Sequence, residues 1–321
     1  MGATLSVLAL AAMVFAQGQS TSQTKPPTAV DATQVQRVDS FSKQLAWNHL
    51  VKQVNIGPRY PGSDGHLKCR DWIVEEMKKV AQDTATQEFT HKWSKGPTKT
   101  MWNVTATQGW KDAKVRIVVL AHWDTRPTAD YDPVPANQGK PILGANDGAS
   151  GVAVLVELAR VMQFRRPKDL GIMDLFTDGE DLGPSLDEMF LGAKHFVKNL
   201  PSPRPDYGIL LDMIGDKDLK IPVEPNSLSY ARELTLAFFN LAKVRGFGST
   251  FPMEEGPIIE DDHIPLNQAG IPTLDLIDFD YEPWHTLGDT IDKCSADSWG
   301  KVGDMMVEWL VQTPPFQPKK R

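Results

Sequence analysis

The chain has 321 residues, 41% hydrophobic, 8% aromatic and 23% charged, which supplies apolar material for a full core and excludes a wholly disordered chain. A formal net charge of -7 and an isoelectric point near 5.5 argue against a nucleic-acid groove, which needs a concentrated positive surface. The length suits two average domains or one large α/β domain, and nothing basic is clustered except the C-terminal PKKR.

The opening MGATLSVLALAAMVFA is apolar and ends in Val14-Phe15-Ala16, whose small terminal Ala16 suits signal-peptidase cleavage, so residues 1–16 are expected to be a signal peptide. The run lacks the Lys or Arg usual at the start of such a leader. It is too short for a bilayer anchor and no other apolar stretch approaches spanning length, so no integral membrane span is expected and the protein is read as exported, periplasmic or secreted. No cysteine follows the run to carry a lipid. Residues 17–38, rich in Ser, Thr, Gln and Pro, read as a flexible linker, residues 39–315 as one catalytic domain, and residues 316–321 as a basic tail.

Within the domain, capped apolar periodicity predicts helices over 39–55 and 64–81, the second placing Leu67, Trp72, Ile73, Met77 and Val80 on one side. Between them GPRYPGS is a turn-rich loop, because its glycines and prolines forbid regular structure. Strand candidates follow at 84–93, 101–108 and 114–124, chosen by β-branched content and length. A helix over 150–162, a buried strand over 170–178, a helix over 189–199 and a buried strand over 206–215 come next. A long amphipathic helix over 228–246, a strand over 270–279 and a closing helix over 295–312 complete the domain. Apolar strands alternating with helices predict a single α/β domain, its mixed, mainly parallel central sheet flanked by helices on both faces. The two cysteines, Cys69 and Cys294, lack CxxC spacing; they could pair in an exported protein, but a fold of this size does not need the bond.

In such sheets functional groups collect beyond the carboxyl ends of the strands. Read that way, one strand ends in His122-Trp123-Asp124, another in Asp178-Gly179-Glu180-Asp181, a third in Asp212, and the last leads to Trp284-His285; Asp147 precedes a helix. Each has an ordinary alternative. Asp147 could cap its helix, paired acids are usually a solvated corner, and Trp284-His285 could be core at a strand end. Four or five hard ligands at one edge of one sheet tip the balance toward a metal, and carboxylates with histidine suit zinc.

The ordered segments HWD (122–124), GANDGASG (144–151), DGEDLG (178–183), LLDMIG (210–215), EDDHIPL (260–266) and EPWHT (282–286), with GPRYPGS upstream, closely resemble the glutaminyl cyclases, enzymes related to co-catalytic zinc aminopeptidases. Each segment is weak alone and the ordered set is specific; it spans about residues 40 to 313. The resemblance implies a zinc-aminopeptidase-like fold and an enzyme, zinc-dependent, that converts the N-terminal glutamine of peptides or proteins to pyroglutamate with release of ammonia. It implies one zinc on Asp147, Asp181 and His285, Glu180 as general acid/base, Asp212 and Asp261 as a hydrogen-bonded carboxyl pair, and Trp284 as a pocket wall. His122 and Asp124 would stand beside the metal. No nucleic-acid partner is implied, and a monomer is expected.

Three positions depart from the animal pattern: Asp181 stands for Glu, Asp275 for His, and the segment 185–195 lacks a second Trp wall, leaving Met189 or Phe190 to fill it. The alternative is a two-zinc aminopeptidase, in which His122, Asp147 and Asp212 hold one ion, Asp147, Asp181 and His285 the other, and Glu180 activates water. A catalytically silent exported binding module is a third reading, against which the intact Glu180 argues.

Overall fold

The computed structural model describes residues 39–312; the expected leader, linker and basic tail lie outside the described residues. Ser42 and Ser63 open the first two helices, α1 (Lys43–Ile56) and α2 (Asp64–Lys78), each hydroxyl accepting a free first-turn N–H. Gly57, at φ +92, ends α1, a conformation glycine adopts without steric cost. The six strands expected from the sequence all form: β1 (Asp83–Lys92), β2 (Thr98–Gln108), β3 (Val115–His122), β4 (Leu170–Thr177), β5 (Tyr207–Asp212) and β6 (Thr273–Ile277).

The strands make one sheet in the order β1-β2-β4-β3-β5-β6. β4, β3, β5 and β6 run parallel, and β2 and β1 continue the sheet antiparallel. Every residue of β4, β5 and β6 is buried, as continuous apolar runs require when both faces are covered; β1, at the edge, has no buried residue.

One face is covered by α1, α2, α3 (Ala149–Arg165), α6 (Arg232–Val244) and the closing α8 (Ala296–Val311), packed on Ile117, Val119, Ile209 and Leu274. The intervening residues Val118, Leu120, Met173 and Leu210 face α4 (Leu191–Lys198) and α7 (His263–Gln268) on the other side. α3 is buried almost all round. Its Gly151 lets the helix approach β5, since a Cβ there would be 2.2 Å from the Leu211 carbonyl oxygen.

One expectation is corrected. The single helix over 228–246 is divided: α5 (Pro225–Tyr230) is capped by Glu224, and Ala231, at φ -127 and ψ 37, breaks the helix before α6. The short α7, which starts within the EDDHIPL segment and ends two residues beyond it, carries no sequence signal, six residues being too few to show periodicity. Cys69 and Cys294 are buried free thiols. Among the described residues no helix is long and apolar enough to cross a membrane.

Candidate active site

Because β3, β4, β5 and β6 are parallel, their carboxyl ends share one edge, and the acids and histidines singled out in the sequence gather there. His122 is the last residue of β3 and Asp212 the last of β5; Glu180 and Asp181 follow β4, and His285 lies beyond β6. Asp147 does not cap α3: Gly148 holds the cap position and no side chain bonds there, so the Asp147 carboxylate is free for another role.

Buried groups hold the loops that carry these residues. The Asp124 carboxylate accepts the N–H of Glu180 at 3.1 Å and of Asp181 at 3.2 Å. Asp289 accepts the N–H of Asn146 (2.8 Å), the N–H of Asp147 (3.1 Å) and the Tyr281 hydroxyl (2.8 Å). Arg59, from the GPRYPGS loop, donates to the carbonyls of Trp123 (3.2 Å), Leu143 (2.8 Å) and Gly144 (2.7 Å), tying the end of β3 to the loop before Asp147. Gly148 must be glycine: at φ +82 a Cβ would sit 2.8 Å from both the Asp124 carbonyl oxygen and the His122 ring. His285 itself is left-handed at φ +53, a strained conformation for a non-glycine residue, and its carbonyl accepts the Tyr131 N–H at 3.2 Å.

Two donor groups result, sharing Asp147. In one, His285 Nε2 is 3.2 Å from Asp181 Oδ1 and 3.5 Å from Asp147 Oδ2. In the other, His122 Nε2 is 3.1 Å from both Asp147 Oδ1 and Asp212 Oδ1. Within each group the ligand atoms lie within 4.8 Å of one another. Asp147 Oδ2 and Asp181 Oδ2 are buried with no hydrogen-bond partner. Two carboxylates and an imidazole with unsatisfied buried oxygens suit a divalent cation. His122 therefore stands within a donor group of its own.

The electrostatics follow from crowding acids into a buried space. Burial, with the charges of Asp181, Asp261 and Asp262, holds the Glu180 carboxyl well above the ordinary glutamate range; its Oε2 is 3.6 Å from His122 Nδ1. Burial raises Asp147 as well, Asp181 adding to it. Burial works against ionisation of Asp181 too, but the charges of His285 and Arg126 outweigh it and keep that group below the usual carboxylate value. Burial likewise opposes charge on His122, yet Asp212 and Glu180 hold it well above an ordinary histidine.

The hydrogen-bonded pair expected of Asp212 and Asp261 does not form. Asp212 Oδ1 turns to His122, while Asp261 Oδ1 accepts the Asp262 N–H at 2.5 Å and its Oδ2 has no partner. The two interact through charge: burial, then Asp212 and Asp262, raise Asp261 well above the carboxylate range. Behind them Asp275 is buried, also raised well above it by burial and by Asp261, and lies 3.5 Å from His263 Nδ1.

Trp284 is half-buried and stacks on His285 at 3.8 Å, with Phe279 and Tyr131 each 4.9 Å from its ring. Phe190 is 4% exposed, with Lys194 over its ring. The second exposed aromatic beside Trp284 is Tyr131, 62% exposed, from a loop that carries no periodic signal. Sequence reading also missed Arg126, whose Nη1 donates to Asp181 Oδ1 at 2.9 Å, and Asp289, which reads as an ordinary loop acid.

The comparisons with known proteins agree with this architecture. The model of peptidase family M28 matches residues 103–310. The glutaminyl cyclase of Porphyromonas gingivalis is similar over 86% of this chain and 100% of its own, at 33% identity and a TM-score of 0.80. A Zn-dependent exopeptidase from Parabacteroides distasonis is similar over 85% of this chain and 99% of its own, at 30% identity and a TM-score of 0.81. The glutaminyl-peptide cyclotransferase of Bos taurus is 27% identical over 88% of this chain and 86% of its own length. With the ordered motifs, the parallel sheet edge and the paired donor groups, these likenesses make the chain a member of peptidase family M28, an enzyme of the group that includes the glutaminyl cyclases.

Proposed function

We propose that this protein is a glutaminyl-peptide cyclotransferase, converting the N-terminal glutamine of peptides or proteins to pyroglutamate. The observation that supports the reading is the likeness to the glutaminyl cyclases over nearly the whole fold, together with Asp261 of the EDDHIPL segment, 3% exposed and with its Oδ2 unpartnered, among the buried acids of the site. A set of acids that must share protons suits a reaction that moves a proton between two nitrogens of one substrate.

Asp147, Asp181 and His285 would hold one zinc ion, and the two unpartnered carboxylate oxygens support that assignment. Bound there, zinc would polarise the γ-carboxamide and stabilise negative charge on its oxygen. The α-amine forms a bond to the carbonyl carbon of the side-chain carboxamide, Cδ, and the bond from that carbon to the amide nitrogen breaks, giving a five-membered lactam and ammonia. Glu180 takes the proton from the amine and returns it to the departing nitrogen; burial and neighbouring acids bring its pKa toward the working range such a shuttle needs. Because the nucleophile is tethered to its target, positioning supplies much of the rate, and Trp284 beside His285 is the wall that provides it. Water takes no part. Export and a monomeric state are part of the same proposal.

A second reading has its own observation. His122, Asp147 and Asp212 also converge, as a two-zinc aminopeptidase bridged by Asp147 would require. Mass spectrometry of a Gln-starting and a Leu-starting peptide, each incubated with zinc-loaded protein and with buffer alone, separates the two. Cyclisation is supported if the Gln peptide loses ammonia at full length and the Leu peptide is unchanged; removal of the first residue from either peptide would establish the aminopeptidase instead.

A further inference from the structure

Arg126 lies just beyond β3, in the loop that carries Asp124, and is 5% exposed. Its guanidinium is held on two sides. Asp130 accepts from Nε at 2.9 Å and from Nη2 at 2.7 Å, and Nη1 donates to Asp181 Oδ1 at 2.9 Å. Gly183, at φ +55, makes room for the fork, since a Cβ there would be 2.6 Å from Nη1. An ion-paired, bidentate anchor of this kind gives a planar side chain one orientation. The contact engages one oxygen of Asp181, which is also 3.2 Å from His285 Nε2, and leaves Oδ2 buried and unpartnered.

We propose that Arg126 is a positioning residue for the metal: anchored by Asp130, it fixes the plane of the Asp181 carboxylate so that the Asp147, Asp181 and His285 donor set is preformed. The proposal rests on the zinc reading given above. Two effects of Arg126 oppose each other. Its positive charge repels a cation, which alone would weaken binding; its hydrogen bond orients a ligand, which strengthens binding. Asp130 pairs with Arg126 and largely cancels the charge at the distance of the metal site, so orientation decides the sign.

The sign is measurable. Zinc affinity of the full-length protein is determined by competition with a chromophoric chelator for wild type, Arg126→Gln, Arg126→Lys, Asp130→Asn and His285→Ala. Loss of an outer partner of a metal ligand typically weakens metal binding by about 10- to 100-fold, and that is the loss expected for Arg126→Gln. Arg126→Lys keeps the charge without the planar fork and should recover only part of it. Asp130→Asn removes the anchor at a side chain that is 35% exposed and should weaken zinc in the same direction without unfolding the protein; because it also unmasks the Arg126 charge, a loss there supports the proposal only beside the partial loss in Arg126→Lys, while unchanged zinc overturns it even if Arg126→Gln does not fold. Zinc held as tightly as in wild type, or more tightly, by Arg126→Gln and Asp130→Asn while His285→Ala loses it would overturn the role of Arg126 alone. If His285→Ala also keeps its zinc, the donor set is misassigned and this proposal falls with it.

Discussion

Replacing Glu180 with Gln tests the chemistry most directly, because the change is isosteric and the backbone cannot drift. The Glu180 N–H is held by Asp124 at 3.1 Å and its carbonyl by the Phe190 N–H at 2.9 Å. Glu180 is 7% exposed among acids, so a neutral amide relieves a buried charge and the fold should not suffer. What is lost is the proton shuttle. General acid–base catalysis contributes about 10²- to 10⁴-fold, so kcat should fall by that factor, equivalent to roughly 3–5 kcal/mol of barrier. Zinc content should be unchanged, since Glu180 belongs to neither donor group.

The pH dependence sharpens the test. Only ionised Glu180 can accept the amine proton, and its pKa is raised by burial and by neighbouring acids. Wild-type activity should therefore rise with pH along an acid limb displaced upward from the ordinary glutamate value, and Glu180→Gln should lose that limb. Ammonia release from a Gln-starting peptide, followed across pH with zinc measured in the same samples, supplies both readouts. A fully zinc-loaded Gln variant within about threefold of the wild-type rate would fall far outside the range expected of a lost acid–base catalyst and would remove Glu180 from the mechanism.

Trp284→Ala should raise KM about tenfold, near 1.4 kcal/mol for a lost aromatic wall, at full zinc content; an unchanged KM would show that the ring does not meet substrate. His49 provides a pH test remote from the site, since burial lowers its pKa from 6.5 to about 4. The folded state holds it neutral while the unfolded chain takes up a proton below the ordinary value, so stability is present above that value and is lost as pH falls toward about 4. Urea unfolding should show wild type losing up to about 2 kcal/mol relative to His49→Gln between roughly pH 7.5 and pH 5. Parallel curves for the two proteins would mean that His49 titrates normally. Phe238→Ala, emptying a fully buried site against Phe239, Phe251 and Trp309, should cost about 3–5 kcal/mol of unfolding free energy, and a loss under about 1 kcal/mol would contradict the packing.

The strands were legible in the sequence because burial on both faces demands unbroken apolar runs, and such runs stand out against polar loops. The strand-end ligands were legible for a related reason: parallel strands deliver their carboxyl ends to one edge, so the order of elements already brings His122, Asp181 and Asp212 near one another. The break at Ala231 was not legible, because apolar spacing runs through it and Glu224 declares itself as a cap only once Asn226 and Ser227 turn toward it. The partners of the site were hidden for the same reason. Asp289 and Asp147, like Arg126 and Asp181, lie in loops without periodicity that are far apart in the chain, and contacts between such loops depend on the path of the chain in space.

The sequence by itself determined the sheet, its covering helices and the kinds of ligand at its edge, because periodicity and residue chemistry are local properties. Only the tertiary structure decided that Asp147 serves two donor groups, that Asp212 turns to His122 and leaves Asp261 unpaired, and that Arg126 holds Asp181. Those are matters of distance between segments far apart in the chain, and distance is set by packing.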